Sequence, residues 1–212
     1  MKVVARYPPD DIHTMPKLLA LTQLAVANGG SDFLGRIASE LQLLDASLGQ
    51  LITPYPLSRL IAEMTLQDAD SLISGRGFIT LQEPASGAGG MIIAAADVLQ
   101  AKGFDPKFTL YVEALDVAPL CFKMTYLQLA LRGVPGIVRH ANTLSLEIFE
   151  SAHTPAFLPF LSHHGEAFRR WQEESRVVPE VAAPAQGDLF ATPQPQPPTH
   201  QPPRGRKPKP TP

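Results

Sequence analysis

The segment Glu83-Pro84-Ala85-Ser86-Gly87-Ala88-Gly89-Gly90 carries the clearest chemical signal in this chain. An extended run, Gly77–Gln82, precedes it, and an apolar run, Met91–Leu99, follows it. Glycines between a strand and a helix let backbone N–H groups approach a ligand closely at the helix N-terminus. Glu113 supplies a second group, at the end of the next extended run, Phe108–Glu113. A carboxylate at the carboxyl end of a strand in an open α/β sheet faces a bound nucleoside and accepts hydrogen bonds from both ribose hydroxyls. The standard dinucleotide spacing G-x-G-x-x-G is not met, because Ile92 stands where its third glycine belongs.

The elements that must position these groups follow from periodicity. Lys17–Ala27, Phe33–Ser47 and Leu57–Leu66 carry apolar residues at helical spacing. Ser31 or Asp32 is suited to cap the second of these helices, and Thr53-Pro54-Tyr55-Pro56 breaks the chain before the third. From Gly77 the pattern alternates. A strand at Phe78–Gln82 leads to a helix from Gly89 to Lys102, with Gly103 as its C-cap. A second strand at Phe108–Glu113 leads to a helix at Ala118–Leu131, and a third strand covers Gly136–His140. A short fourth strand is predicted at Leu146–Phe149 and a last amphipathic helix at His163–Arg176. Strands alternating with helices imply a parallel sheet.

Composition sets the bounds. The chain has 212 residues, is 44% hydrophobic and 18% charged, and carries a net charge of −2. Such a balance gives no overall basic field to hold nucleic acid, so any DNA contact must be local. The single cysteine, Cys121, excludes an intramolecular disulfide and reads as a small buried apolar residue. The first residues lack the apolar core of a signal peptide, and no run approaches the ~20 apolar residues of a membrane span, which points to the cytoplasm. The six histidines form no metal-ligand pattern. Half of the 22 prolines lie from Pro179 onward. Val177–Pro212 is therefore read as a disordered tail that leans towards polyproline II.

The order E-P-A-S-G-A-G-G resembles the cofactor loop of S-adenosylmethionine-dependent DNA adenine-N6 methylases, above all the modification subunits of type I restriction systems, where it reads D-P-A-C-G-T-G-G. Gly49-Gln50-Leu51-Ile52-Thr53-Pro54 resembles the G-Q-F/Y-x-T-P motif that opens the catalytic domain of these enzymes. His140-Ala141-Asn142-Thr143-Leu144 resembles their G-D-T-L segment. The resemblance implies a partial Rossmann-like methyltransferase sheet of three or four mainly parallel strands. It divides the chain into an N-terminal helical region (1–48), a cofactor-binding domain (49–176) and the tail (177–212). It also implies S-adenosyl-L-methionine as cofactor, held by Thr53, Pro54, Glu83, Pro84, Ala85, Ser86, Gly87, Gly89, Glu113 and Asn142. Thr53 and Pro54 would lie beside the methionine part, and Asn142 would accept from the adenine amino group.

The family flips its target adenine into a pocket built by N-P-P-Y or N-P-P-F after the fourth strand. Neither motif occurs here. Thr154-Pro155-Ala156-Phe157 is the nearest candidate, with Thr154, Pro155 and Phe157 as the catalytic remnant. The resemblance thus implies a shortened methylase of restriction-modification type whose catalysis is lost or partner-dependent. In the family the first strand is central, so with few later strands its outer edge is left open. The Phe149–Trp171 region or a partner subunit is expected to cover it. The alternative is a non-catalytic DNA-associated accessory or decoy protein.

Two tail segments fit that alternative. Gln186-Gly187-Asp188-Leu189-Phe190 resembles the peptide by which bacterial proteins dock on the replication sliding clamp, with Gln186 as polar anchor and Leu189 and Phe190 filling a hydrophobic pocket. Arg204, Arg206, Lys207 and Lys209 form a basic terminus that resembles an AT-hook and would reach a DNA minor groove.

Overall fold

The computed structural model describes residues 4–27, 29–44 and 51–176. One compact unit extends to Gln172. After a short 3-10 turn at Val4–Arg6, the N-terminal half is helical: α1 (Pro9–Ala27), α2 (Phe33–Glu40), α3 (Tyr55–Thr65) and α4 (Ala69–Arg76). Asp32 caps α2 by accepting the Gly35 N–H. The helix predicted over Phe33–Ser47 already stops at Glu40, because Gln42 takes a positive φ and the Leu43 N–H turns back to Ala38 O. Its last residues fall outside the described part. α3 starts earlier than predicted, since Tyr55 and Pro56 form its first turn, where a proline needs no amide donor.

The α/β half alternates as the pattern predicts: β1 (Ile79–Glu83), α5 (Gly90–Ala101), a single turn α6 (Pro106–Thr109), β2 (Leu110–Asp116), α7 (Pro119–Arg132), β3 (Gly136–Asn142), β4 (Glu147–His153) and α8 (Phe157–Arg176). Among the described residues the strands form one sheet in the order β1-β2-β3-β4. β1, β2 and β3 run parallel, and β4 runs antiparallel to β3. No helix among the described residues is long and apolar enough to cross a membrane.

Both faces of the parallel strands are covered, as a parallel sheet requires. On one face Ile79, Leu110, Val112, Ala114 and Val138 pack against α5, with Ala62, Leu66 and Ala69 of the α3–α4 region beyond. This explains why α5 is apolar on nearly every side, with residues Ile92–Leu99 all buried and Asp97 the one charged residue among them. On the other face Phe78, Tyr111 and Ile137 meet Phe160 and Phe168 of α8. The ring centroids of Tyr111 and Phe168 lie 4.6 Å apart, edge to face, and those of Phe78 and Phe160 lie 5.3 Å apart in the same manner.

A buried charge cluster ties the N-terminal helices to this core. Asp97 of α5 accepts the Gly30 N–H at 2.7 Å and the Tyr55 hydroxyl at 2.5 Å, and it pairs with Arg132 of α7. Arg132 also donates to the Ala27 carbonyl at the end of α1. Burial, and after it the Asp97 carboxylate, pushes the Tyr55 phenol up to about 12.

Three sequence expectations need correction. The pattern predicts the second strand at Phe108–Glu113, but residues Pro106–Thr109 form a helical turn capped by Asp105, and the strand runs on to Asp116. The last helix begins at Phe157 rather than His163, with Pro159 tolerated in its first turn. The Phe149–Trp171 region does not cover the outer edge of β1. It divides between β4, which pairs with the far side of β3, and α8, which lies on a sheet face. β1 remains an edge strand among the described residues.

Candidate functional site

The carboxyl ends of β1, β2 and β3 place Glu83, Asp116 and Asn142 along one end of the sheet. The glycine turn after β1 crosses this end. Gly87 and Gly89 have φ of 56° and 94°, in the left-handed region that residues with a Cβ avoid. Gly89 is the N-cap of α5. At Gly90 space rather than φ sets the requirement, since a Cβ there would lie 2.7 Å from Asp32 Oδ2.

The turn is fixed from three sides. Below it, Ser86 N donates to Leu115 O at 2.9 Å, and Asp116 Oδ2 accepts the Gly87 N–H at 2.8 Å. From α7, Thr125 Oγ1 donates its one hydrogen to Gly87 O at 3.0 Å and lies 3.1 Å from Ser86 Oγ, whose hydroxyl it accepts, and Gln128 Nε2 donates to Ala88 O at 2.6 Å. From the N-terminal region, Ile52 and Thr53 border a small cavity against Ala85–Ala88 and Gly90. Thr53 thus lies beside the loop. Pro54 sits at the N-cap of α3, its carbonyl accepting from Leu57 and Ser58. Glu83 folds back, accepting the Ala85 N–H at 3.2 Å, and Pro84 O accepts from Thr143 Oγ1 at 2.6 Å.

Asp116 is the residue that sequence reasoning missed. It ends β2, is buried, and accepts the Gly87 and Ala118 N–H groups, one on each oxygen. An ionised carboxylate has about four lone-pair sites, so each oxygen keeps acceptor capacity towards a ligand. Glu113 lies three residues short of the strand end, roughly 10 Å away at ~3.3 Å per residue. It is in register with Gln82 and Ile137, and its carboxylate pairs with Arg139 at 3.3 Å. Asp116, rather than Glu113, therefore stands at the carboxyl end of the strand. The available signal was Asp116 followed by Val117-Ala118-Pro119: an acid just before a proline-started helix marks the strand-to-helix corner.

Asn142 lies at the carboxyl end of β3 as the pattern predicts. Its Oδ1 accepts the Leu144 and Ser145 N–H groups, which fastens the β3–β4 turn and occupies both lone pairs expected to meet an adenine amino group.

Thr154, Pro155 and Phe157 are at the wrong end of the sheet. Because β4 is antiparallel, Glu147 pairs with Asn142 while His153 pairs with Ile137. The segment that follows emerges at the amino ends of the parallel strands, beside Gly136. That is about 13 Å at ~3.3 Å per residue from His140, which pairs with Asp116 below the glycine turn. Thr154 is buried there, donating to Val134 O at 2.8 Å and accepting the Gly136 N–H at 3.1 Å. Phe157 packs on His153 and Tyr111. These residues lock the start of β3 and build no pocket beside the loop.

Cys121 is buried against this site. Burial, and after it the Asp116 carboxylate, pushes its thiol up to about 11, so it is protonated and unreactive at neutral pH. Gly49 and Gln50 of the motif before Thr53 lie outside the described residues, as do Gln186, Leu189, Phe190, Arg204, Arg206, Lys207 and Lys209 of the tail.

An open, mainly parallel sheet with a glycine turn over its carboxyl ends defines an α/β protein of Rossmann-like type. The family model for N-6 DNA methylase matches residues 33–184, most of the chain, and the protein belongs to this family of DNA methyltransferases. No curated protein and no solved structure matches the chain.

Proposed function

We propose that this chain binds S-adenosyl-L-methionine at the carboxyl end of its sheet and serves DNA adenine-N6 methylation of the restriction-modification type, with the base-accepting pocket supplied by another subunit. The joint placement of Gly87, Gly89 and Asp116 carries the reading. Two glycines expose turn backbone without Cβ atoms, and a carboxylate with spare acceptor capacity stands beside them. These residues fit a nucleoside with a polar tail. Asp116 would take the ribose hydroxyls, and the turn with Thr53 would take the amino-acid end. The cofactor itself supplies an electrophilic methyl group on its sulfonium.

The need for a second subunit rests on topology. The chain's candidate base-binding segment, Thr154–Phe157, is at the far end of the sheet, and among the described residues β1 has a free outer edge where further strands would add. The same observation favours the second reading, a cofactor-binding but non-catalytic accessory protein that uses Gln186, Leu189 and Phe190 for a sliding clamp or Arg204, Arg206, Lys207 and Lys209 for DNA.

Calorimetry with S-adenosylmethionine, followed by transfer of labelled methyl to plasmid DNA, tests both. Binding with transfer only after a partner subunit is added supports the first reading. Binding with no transfer under any partner supports the second. Absence of binding overturns the cofactor assignment in both.

A further inference from the structure

We propose that Asp32 and Ser58 form an ammonium-binding pocket behind the glycine turn, which selects ligands carrying a free α-amino group. The proposal rests on the cofactor reading above and assigns the group that recognises its amino-acid end.

Asp32 is 4% exposed and held rigidly. Its Oδ1 accepts the Gly35 N–H at 2.9 Å and Gln128 Nε2 at 2.7 Å. Gln128 is itself fixed by donating to Ala88 O and accepting from Leu34 N. The other oxygen, Oδ2, is buried with no hydrogen-bond partner. So is the hydroxyl of Ser58, which is 0% exposed. Asp32 and Ser58 both line the same cavity of about 40 Å³, walled otherwise by Leu51, Ile52, Thr53, Met91 and the glycine turn.

A buried carboxylate oxygen without a donor is costly, and a cation with hydrogens to give offsets that cost best. Among the described residues no Lys, Arg or His pairs with Asp32: Arg36, one helical turn on, pairs with Glu40. The cavity admits a water-sized group and excludes a ring or a sulfonium. A primary ammonium matches it in size, in charge and in number of donors, with Asp32 Oδ2 and Ser58 Oγ taking two of its three hydrogens. The glycine at position 90 is what allows this carboxylate to reach the turn at all.

The test uses the full-length chain and two probes with the same nucleoside thioether: S-adenosylhomocysteine, which carries the amino acid, and 5′-methylthioadenosine, which lacks it. The variants are Asp32→Asn and Ser58→Ala, each checked by thermal denaturation. Asp32→Asn preserves the Oδ1 contacts but presents an amide to the cavity. Loss of a charge-assisted hydrogen bond should weaken S-adenosylhomocysteine at least ~30-fold, loss of the Ser58 hydroxyl should weaken it about 5-fold, and both variants should bind methylthioadenosine within about 2-fold of the parent chain. Equal weakening of both probes, or none, overturns the proposal, since a purely structural or water-binding role would not tell them apart. If Asp32→Asn fails to fold, the same comparison in Ser58→Ala decides. Failure of the parent chain to bind either probe instead overturns the cofactor reading, and this proposal with it.

Discussion

The Asp116 carboxylate accepts the Gly87 N–H at 2.8 Å, so the acid ending β2 holds the glycine turn that follows β1. Asp116→Ala leaves that N–H and the Ala118 N–H without their acceptor, at a cost of about 1–3 kcal/mol for each. The variant should lose cofactor affinity by at least ~10-fold by calorimetry, because a vicinal diol loses both its charged acceptors. Glu113→Gln, by contrast, should leave affinity within about 2-fold, since Glu113 pairs with the half-buried Arg139 and lies three residues short of the end of β2.

Thr154 separates a structural role from a catalytic one. Its hydroxyl serves Val134 O and the Gly136 N–H in a buried corner. Thr154→Ala should lower stability by about 1–3 kcal/mol in urea titration. Cofactor affinity measured on the same preparation should not change. A loss of affinity exceeding the loss of folded fraction would return the segment to the ligand site.

The Asp97 cluster should behave as one unit. Arg132→Met strands a carboxylate that is 6% exposed and should cost about 3–5 kcal/mol. Tyr55→Phe removes one charge-assisted bond and should cost about 1.5–3 kcal/mol. The double variant should cost clearly less than the two added together, because both changes act on the same carboxylate. Chemical denaturation of the four proteins gives the coupling directly.

Alkaline stability should report the buried phenols. Burial, and after it the Glu113 carboxylate, pushes Tyr111 up from 10.0 to about 12. The folded state therefore holds its proton more tightly than the unfolded chain. The stability this lends is intact below about pH 10 and is lost as the pH climbs to about 12. Tyr111→Phe should flatten that part of the stability profile, and Tyr55→Phe should act in the same window. Unfolding free energies from about pH 8 upward check the sign.

Much of this architecture can be read from residue patterns. The α5 run Ile92–Leu99 and the glycine turn announce a strand-turn-helix unit, because few other arrangements use two glycines ahead of a mostly apolar helix. The site was legible as a loop and only partly as a constellation. Glu113 and Asp116 are both acids in one extended stretch, and which of them ends the strand depends on where Asp105 caps the preceding turn. The direction of β4 was not legible. Leu146–Phe149 has the same composition whichever way it pairs, and the direction follows from the Asn142 side chain closing a tight turn. In the sequence Asp32 is legible only as a helix cap, since its second oxygen gains meaning from Gly90, far along the chain.

The antiparallel return of β4 also bears on how the chain folds. β3 and β4 are joined by the turn Thr143–Leu146, whereas β1 meets β2 only after α5 and α6 have crossed between them. Hairpins of this kind close within about 1–10 μs, and parallel pairs wait on the entropy of a long loop. The hairpin should therefore be the earliest piece of sheet, with the glycine turn organised last, once α7 has brought Thr125 and Gln128 against it. Pulsed hydrogen exchange should show amides of β3 protected ahead of those of β1, so that the end of the sheet carrying the glycine turn is also its latest-forming part.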